Sequence, residues 1–269
     1  MREIGIIRSA VRRSAPLIHC ITNPISINQC ANAILAVGAR PMMAEHPGEA
    51  AEITASAKAL LLNLGNITDV RMKSMMLSAD IAQKLHIPVI IDAVGISCSS
   101  LRRDFILRLI EKARPAVIKG NYSEVCALYD STCRSSGVDA DTDLDTKTVC
   151  RSAAALAGQY QTVVLASGKT DVITDGKITA SVQNGTPQLA SVTGTGCMLG
   201  ALCACYLSAG SAFHSAVTAC AVLGISGALA ETDKGSGSFM VNLMDCLTVV
   251  SDEQLEKSLS MEETILEKI

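Results

Sequence analysis

Six short apolar runs, at residues 17–21, 40–44, 60–64, 88–92, 116–119 and 162–166, constrain this chain more than any other feature. Each has the length of a strand. Between them lie longer stretches with helical spacing, at residues 25–36, from about 47, and at 69–85, 101–113 and 146–157. Parallel strands cannot be joined by tight turns and need a crossover, which is most often a helix. The later runs are rich in Val and Ile with no polar alternation, as expected of strands covered on both faces. The alternation therefore predicts an α/β fold with a mostly parallel central sheet and helices on both faces. Residues 172–182 differ: Asp175-Gly176 between alternating arms predicts an antiparallel hairpin at the sheet edge. Beyond residue 192 the pattern turns almost wholly helical. The most polar stretch, residues 130–147, lacks an apolar period and is expected to be a surface loop. Nothing divides the 269 residues, so a single domain over 1–269 is expected.

Composition narrows the function. With 49% hydrophobic and 3% aromatic residues and a net charge of −3, the chain has no basic stripe interleaved with aromatics. No nucleic-acid partner is expected. The longest apolar stretch, about residues 198–207, is too short to span a bilayer, and residues 1–13 lack the apolar core of a signal sequence. The eleven cysteines show no C-x-x-C and no regular spacing, which disfavours a zinc site or a disulfide framework and points to reduced thiols in a cytoplasm. His19, His46, His86 and His214 have no ligand partner at helical spacing and receive no role.

Chemistry is concentrated after the strands. Open parallel sheets bind ligands outside the carboxyl ends of their strands. Polar or glycine residues recur there: Thr22-Asn23, Met43-Ala44-Glu45, Asn63-Leu64-Gly65-Asn66, Asp92 to Gly95, Lys119-Gly120-Asn121 and Ser167-Gly168. Many such residues merely cap the next helix, but Asp92 closes the run Val89-Ile90-Ile91, where a carboxylate could orient Mg²⁺. The segment Thr193-Gly194-Thr195-Gly196-Cys197 runs into an apolar helix. Its glycines allow close backbone approach, and the free N–H groups of the helix start form an anion hole suited to phosphate. Cys197 falls in that first turn, where a lowered thiol pKa would make it a base or nucleophile; the plainer alternative is an inert core thiol. Read from the residues alone, this is a phosphate-binding α/β enzyme.

Lys119-Gly120-Asn121-Tyr122-Ser123-Glu124 makes the resemblance specific. Together with residues 90–95, 192–197, 19–23, 38–44, 62–65, 137–139 and 237–239, in the same order, it resembles the hydroxyethylthiazole kinases of the ribokinase-like superfamily over nearly the whole chain. The resemblance implies a three-layer α/β/α fold and phosphoryl transfer from ATP to the primary hydroxyl of 4-methyl-5-(2-hydroxyethyl)thiazole in thiamine salvage. It implies that Met43 and Gly194 contact the thiazole, that Lys119 and Ser167 contact ATP, and that Asp92 and Glu124 hold Mg²⁺ and its waters near the phosphates; both carboxylates are expected at a polar site edge. Cys197 would lie beside the substrate hydroxyl, where sugar kinases of the superfamily carry Asp. It also implies a homotrimer with sites between subunits, so that Met43 serves a neighbour. Lys119, Ser167 and Ala93 stand where the family more often has Arg, Thr and Pro, and the first change loses a planar fork for phosphate. Two other readings are open: a related kinase for a pyrimidine alcohol or a sugar, and a binding protein that has lost the chemistry.

Overall fold

The computed structural model describes residues 2–130 and 145–265. Its strands are β1 (Leu17–Ile21), β2 (Arg40–Met42), β3 (Ala59–Asn63), β4 (Val89–Asp92), β5 (Val117–Asn121), β6 (Val163–Ser167), β7 (Asp171–Thr174), β8 (Ile178–Val182) and β9 (Met261–Ile265). They form one sheet in the order β2-β1-β3-β4-β5-β6-β7-β8-β9. The pairings among the first six strands are parallel and the last three are antiparallel. The helices are α1 (Arg2–Ser14), α2 (Ile27–Ala36), α3 (Ala50–Ser56), α4 (Asp69–Lys84), α5 (Ser100–Ala113), α6 (Tyr122–Tyr129), α7 (Thr146–Tyr160), α8 (Thr195–Leu207), α9 (Ala212–Leu229), α10 (Ser236–Val249) and α11 (Asp252–Ser258).

Side chains two apart on a strand share a face, and the sheet consequently carries two cores. Leu61, Ile90, Val117 and Leu165 pack with α1, α2, α8, α9 and α10. Leu60, Leu62, Ile91, Ile118 and Val164 pack with α4, α5, α6 and α7. This is the three-layer α/β arrangement expected from the alternating pattern. Its helices are begun by local chemistry: Thr68 and Ser99 accept from the N–H groups of Arg71 and Arg102, and Asn121 with Glu124 forms a capping box on α6.

Several expectations need correction. The second strand ends at Met42 rather than at residue 44, so Met43 lies on the connection beyond it. The hairpin turn sits one residue later than Asp175-Gly176 suggests: Gly176 takes the positive φ of 85°. Asp175 closes the turn by accepting from the N–H groups of Lys177 and Ile178, both at 2.8 Å. The C-terminal region is not all helical, because β9 returns to pair with β8. Of the polar stretch, 131–144 lies outside the described residues, as do Gly137-Val138-Asp139, and Thr146 and Lys147 already belong to α7. The longest apolar helix is α9 rather than residues 198–207; it is long and apolar enough to cross a membrane. Here it is a core helix, in contact with α8, α10, α1 and β7.

Candidate active site

The sheet register builds the site. Asn63 lies opposite Asp92, and Asp92 opposite Lys119, so the carboxyl ends of β3, β4 and β5 set these residues in a row. Their face is that of Leu61, Ile90 and Val117, beneath α8. A Cβ added to Gly200 would stand 3.3 Å from Asp92 Oδ2, and one added to Gly196 would stand 3.8 Å from Lys119 Nζ. The ammonium therefore lies under the first turn of α8, where the free N–H groups begin. Gly194 precedes that turn at φ +94°, in the left-handed region that favours glycine. An added Cβ there would also meet Ser26 Cβ at 3.0 Å. Thr195 ties the turn down by donating its hydroxyl to the Leu189 carbonyl at 2.8 Å.

The row is buried. Asp92 is 0% exposed and Lys119 4%, and they form an ion pair at 2.9 Å. The other Asp92 oxygen accepts from Asn63 Nδ2 at 2.8 Å. Burial raises the Asp92 pKa, against the pull of Lys119 and Asn63. For Lys119, burial works against the ammonium, but the charges of Asp92 and then Glu124 outweigh it and hold its pKa above the ordinary lysine range. Glu124 is buried too. Its two oxygens accept from the N–H groups of Gly95 and Asn121, both at 2.7 Å, which ties the turn after β4 to the turn after β5. Burial and the neighbouring Asp92 push its pKa up to about 7.

The polar site edge expected for Asp92 and Glu124 is thus a buried interior, and each carboxylate oxygen already has a partner. Among the described residues, no group of three or more His, Cys, Asp or Glu side chains is gathered for a metal ion. The two carboxylates do not fit direct ligation of Mg²⁺. The expected thiolate at Cys197 also needs correction. Cys197 lies in the first turn of α8, but burial and the Asp92 charge raise its pKa despite hydrogen bonds from its surroundings and the positive charge of Lys119. A helix N-terminus contributes only a fraction of a charge, and here a full carboxylate opposes it.

The other candidates are at the ends of adjoining strands. Ser167 closes β6 opposite Asn121 and donates to the Gly120 carbonyl at 3.3 Å. Met43, half-buried, is three strands from Asp92 in the sheet order. Its connection is clamped by groups to which no role was given: His19 Nε2 bonds the Ala44 carbonyl at 2.8 Å, while Ser74 and Arg71 hold the Glu45 backbone and carboxylate, both at 2.6 Å. Asn63 is among the polar residues at the strand ends, with no specific role assigned by its sequence. Its signal was the one that singled out Asp92, a polar residue closing an apolar strand.

The chain matches the model of the hydroxyethylthiazole kinase family over residues 8–253. It is 44% identical over 258 residues to hydroxyethylthiazole kinase 2 of Clostridium botulinum, covering 94% of this chain and 97% of that protein. Against the hydroxyethylthiazole kinase of Nitratidesulfovibrio vulgaris it is 42% identical, covering 89% and 90% respectively. The solved hydroxyethylthiazole kinase of Pyrococcus horikoshii superposes with a TM-score of 0.91 at 30% identity, over 98% of this chain and 100% of that one. A Staphylococcus aureus pyridoxal kinase in complex with AMP-PCP and pyridoxal shares the fold, with a TM-score of 0.64 at 11% identity over 93% of this chain and 98% of that one.

Proposed function

The chain belongs to the hydroxyethylthiazole kinase family, a family of kinases with an alcohol acceptor, and we propose that it transfers the γ-phosphoryl group of ATP to the primary hydroxyl of 4-methyl-5-(2-hydroxyethyl)thiazole in thiamine salvage. The observation that carries this reading is the buried Lys119 ammonium directly under the glycine turn of α8. A fixed cation and a set of helix N–H groups together meet the negative charge that spreads over the transferred oxygens. Gly194, Thr195, Gly196 and Cys197 form the anion hole, Lys119 and Ser167 serve the nucleotide, and Met43 and Gly194 face the thiazole. A thioether suits an uncharged aromatic ring.

In the transfer, the substrate oxygen forms a bond to the γ-phosphorus. The bond from that phosphorus to the β–γ bridging oxygen breaks, and its electron pair leaves with ADP. A loose transition state demands little early deprotonation. Cys197 is the catalytic residue, its neutral sulfur accepting a hydrogen bond from the hydroxyl and orienting it; after the O–P bond has begun to form, the hydroxyl proton passes to an oxygen of the transferred phosphoryl group. Mg²⁺ would arrive with ATP and lower the charge on the phosphates, with Asp92 and Glu124 attracting it through its water shell. The 269 residues act as one cytoplasmic kinase domain, supported by the single sheet that runs through the described residues. Three copies form a trimer with shared sites. An ADP-release assay over thiazole, pyrimidine and sugar alcohols tests the reading. A clear preference for the hydroxyethylthiazole is expected, and a better pyrimidine or sugar substrate overturns it.

A further inference from the structure

We infer that Asn63 is a positioning residue for the Cys197 thiol, an assignment that rests on the reading of Cys197 as the residue beside the substrate hydroxyl. Asn63 is fully buried at the end of β3, so its bonds must all be made inside the protein. Its Oδ1 accepts from the Gly65 N–H at 2.8 Å. That bond fixes the amide, because the reverse orientation would set its NH₂ against another donor. Both Nδ2 hydrogens are thereby directed to their two acceptors, Asp92 Oδ2 at 2.8 Å and Cys197 Sγ at 3.4 Å. There is no slack on the far side, since a Cβ on Gly65 would fall 2.8 Å from both Asn63 Oδ1 and Asn23 Nδ2.

The direction of these bonds sets the direction of the next. Cys197 Sγ accepts from Asn63, so the thiol hydrogen is directed away from that amide. The bond holds the sulfur in one orientation, with a remaining lone pair for the substrate hydroxyl. A merely structural turn after β3 would need only the Oδ1 bond to Gly65. The two N–H bonds link the thiol to the same carboxylate that holds Lys119, so the groups proposed to meet hydroxyl and phosphate are tied through one amide.

The test uses the full chain and whichever alcohol the wild-type protein phosphorylates best. Asn63→Asp keeps the acceptor for Gly65 and can share a proton with Asp92, but has no N–H for sulfur; Asn63→Ala removes everything. In both, kcat is expected to fall about tenfold while KM for ATP stays within about twofold, the scale of one lost hydrogen bond. In a Cys197→Ala background the same changes are expected to have little further effect on kcat. An equal fall in that background overturns the proposal, since Asn63 would then act elsewhere. A rise in KM with kcat unchanged overturns it as well, and so does full kcat in Cys197→Ala itself. If neither Asn63 variant folds by circular dichroism, Asn63 belongs to the scaffold and the proposal fails. Failure of the thiazole reading is distinguishable, because it appears as a different preferred alcohol while the Asn63–Cys197 coupling remains measurable.

Discussion

Asp92 and Lys119 are costly residues to bury and costly to separate. Removing one partner leaves an unpaired charge in the interior, which typically destabilises by about 3–5 kcal/mol. Asp92→Asn and Lys119→Met are each expected to lose stability on that scale, measured by urea unfolding, and the double variant should recover part of the loss. Equal or better stability in the single variants would mean that the pair is not sealed. At Cys197 the expectation is kinetic. Cys197→Ser should lower kcat by about 10²-fold or less with little change in KM for ATP, and Cys197→Asp, with the carboxylate of sugar kinases, should stay active. Full kcat in Cys197→Ser and Cys197→Ala between about pH 6 and 9 would remove the residue from the mechanism. The place of Cys197 was legible in sequence as the residue after a glycine pair, but its ionisation was not. Burial and a nearby full charge decide it, and the charge comes from a strand more than a hundred residues earlier in the chain.

At the scale of elements, the capping box of α6 is also a bridge between two turns. The pKa of Glu124 is raised to about 7 from an ordinary 4.5, so through that window the folded protein keeps a proton that the unfolded chain has released. Stability therefore falls as pH rises across it, by an amount on the order of 3 kcal/mol, and Asp92 adds in the same direction. Urea midpoints should be lower near pH 8 than near pH 5, and Glu124→Gln should flatten the difference while losing one of the two accepted N–H bonds. A midpoint that climbs with pH in the wild type would contradict the linkage. At the start of α8, Gly194→Ala forces a side chain into a left-handed backbone and against Ser26. A cost of about 1–2 kcal/mol and a much larger fall in kcat are expected, since the turn that receives phosphate must shift. Elements with their own signals were read well from sequence: β1 was placed at its observed bounds, and α4 differs by one residue. Those that depend on a distant partner were missed. The strand β9 carries Glu262 and Glu263 and an Ile265 that is 77% exposed, and only pairing with β8 makes it a strand. Helix α1 had a usable period in Ile4, Ile7 and Val11, obscured by Arg8, a buried cation paired with Asp252.

For the whole molecule, the proposed trimer makes a claim about Met43, which stands apart from the Asp92 row in the sheet. Met43→Ala should weaken thiazole binding more than ATP binding. Mixed with the slow Cys197→Ala chain under subunit exchange, it should give more activity than the two variants summed, because some sites would combine an intact Met43 with an intact Cys197. No recovery after verified exchange would make each site self-contained. The sequence set Met43 inside a strand of residues 40–44, and neither its place beyond the edge strand β2 nor what faces it could be read, because a neighbouring surface leaves no periodicity in the chain. The row of Asn63, Asp92 and Lys119 has one more consequence, which concerns synthesis. Its three strands emerge from the ribosome well before Thr195–Leu207, the helix that covers it. A nascent chain thus carries the carboxylate and ammonium in water, where the pair is worth little. Docking of the later helix completes the cover over these charges, and a chain arrested before residue 195 would lack the turn that receives phosphate.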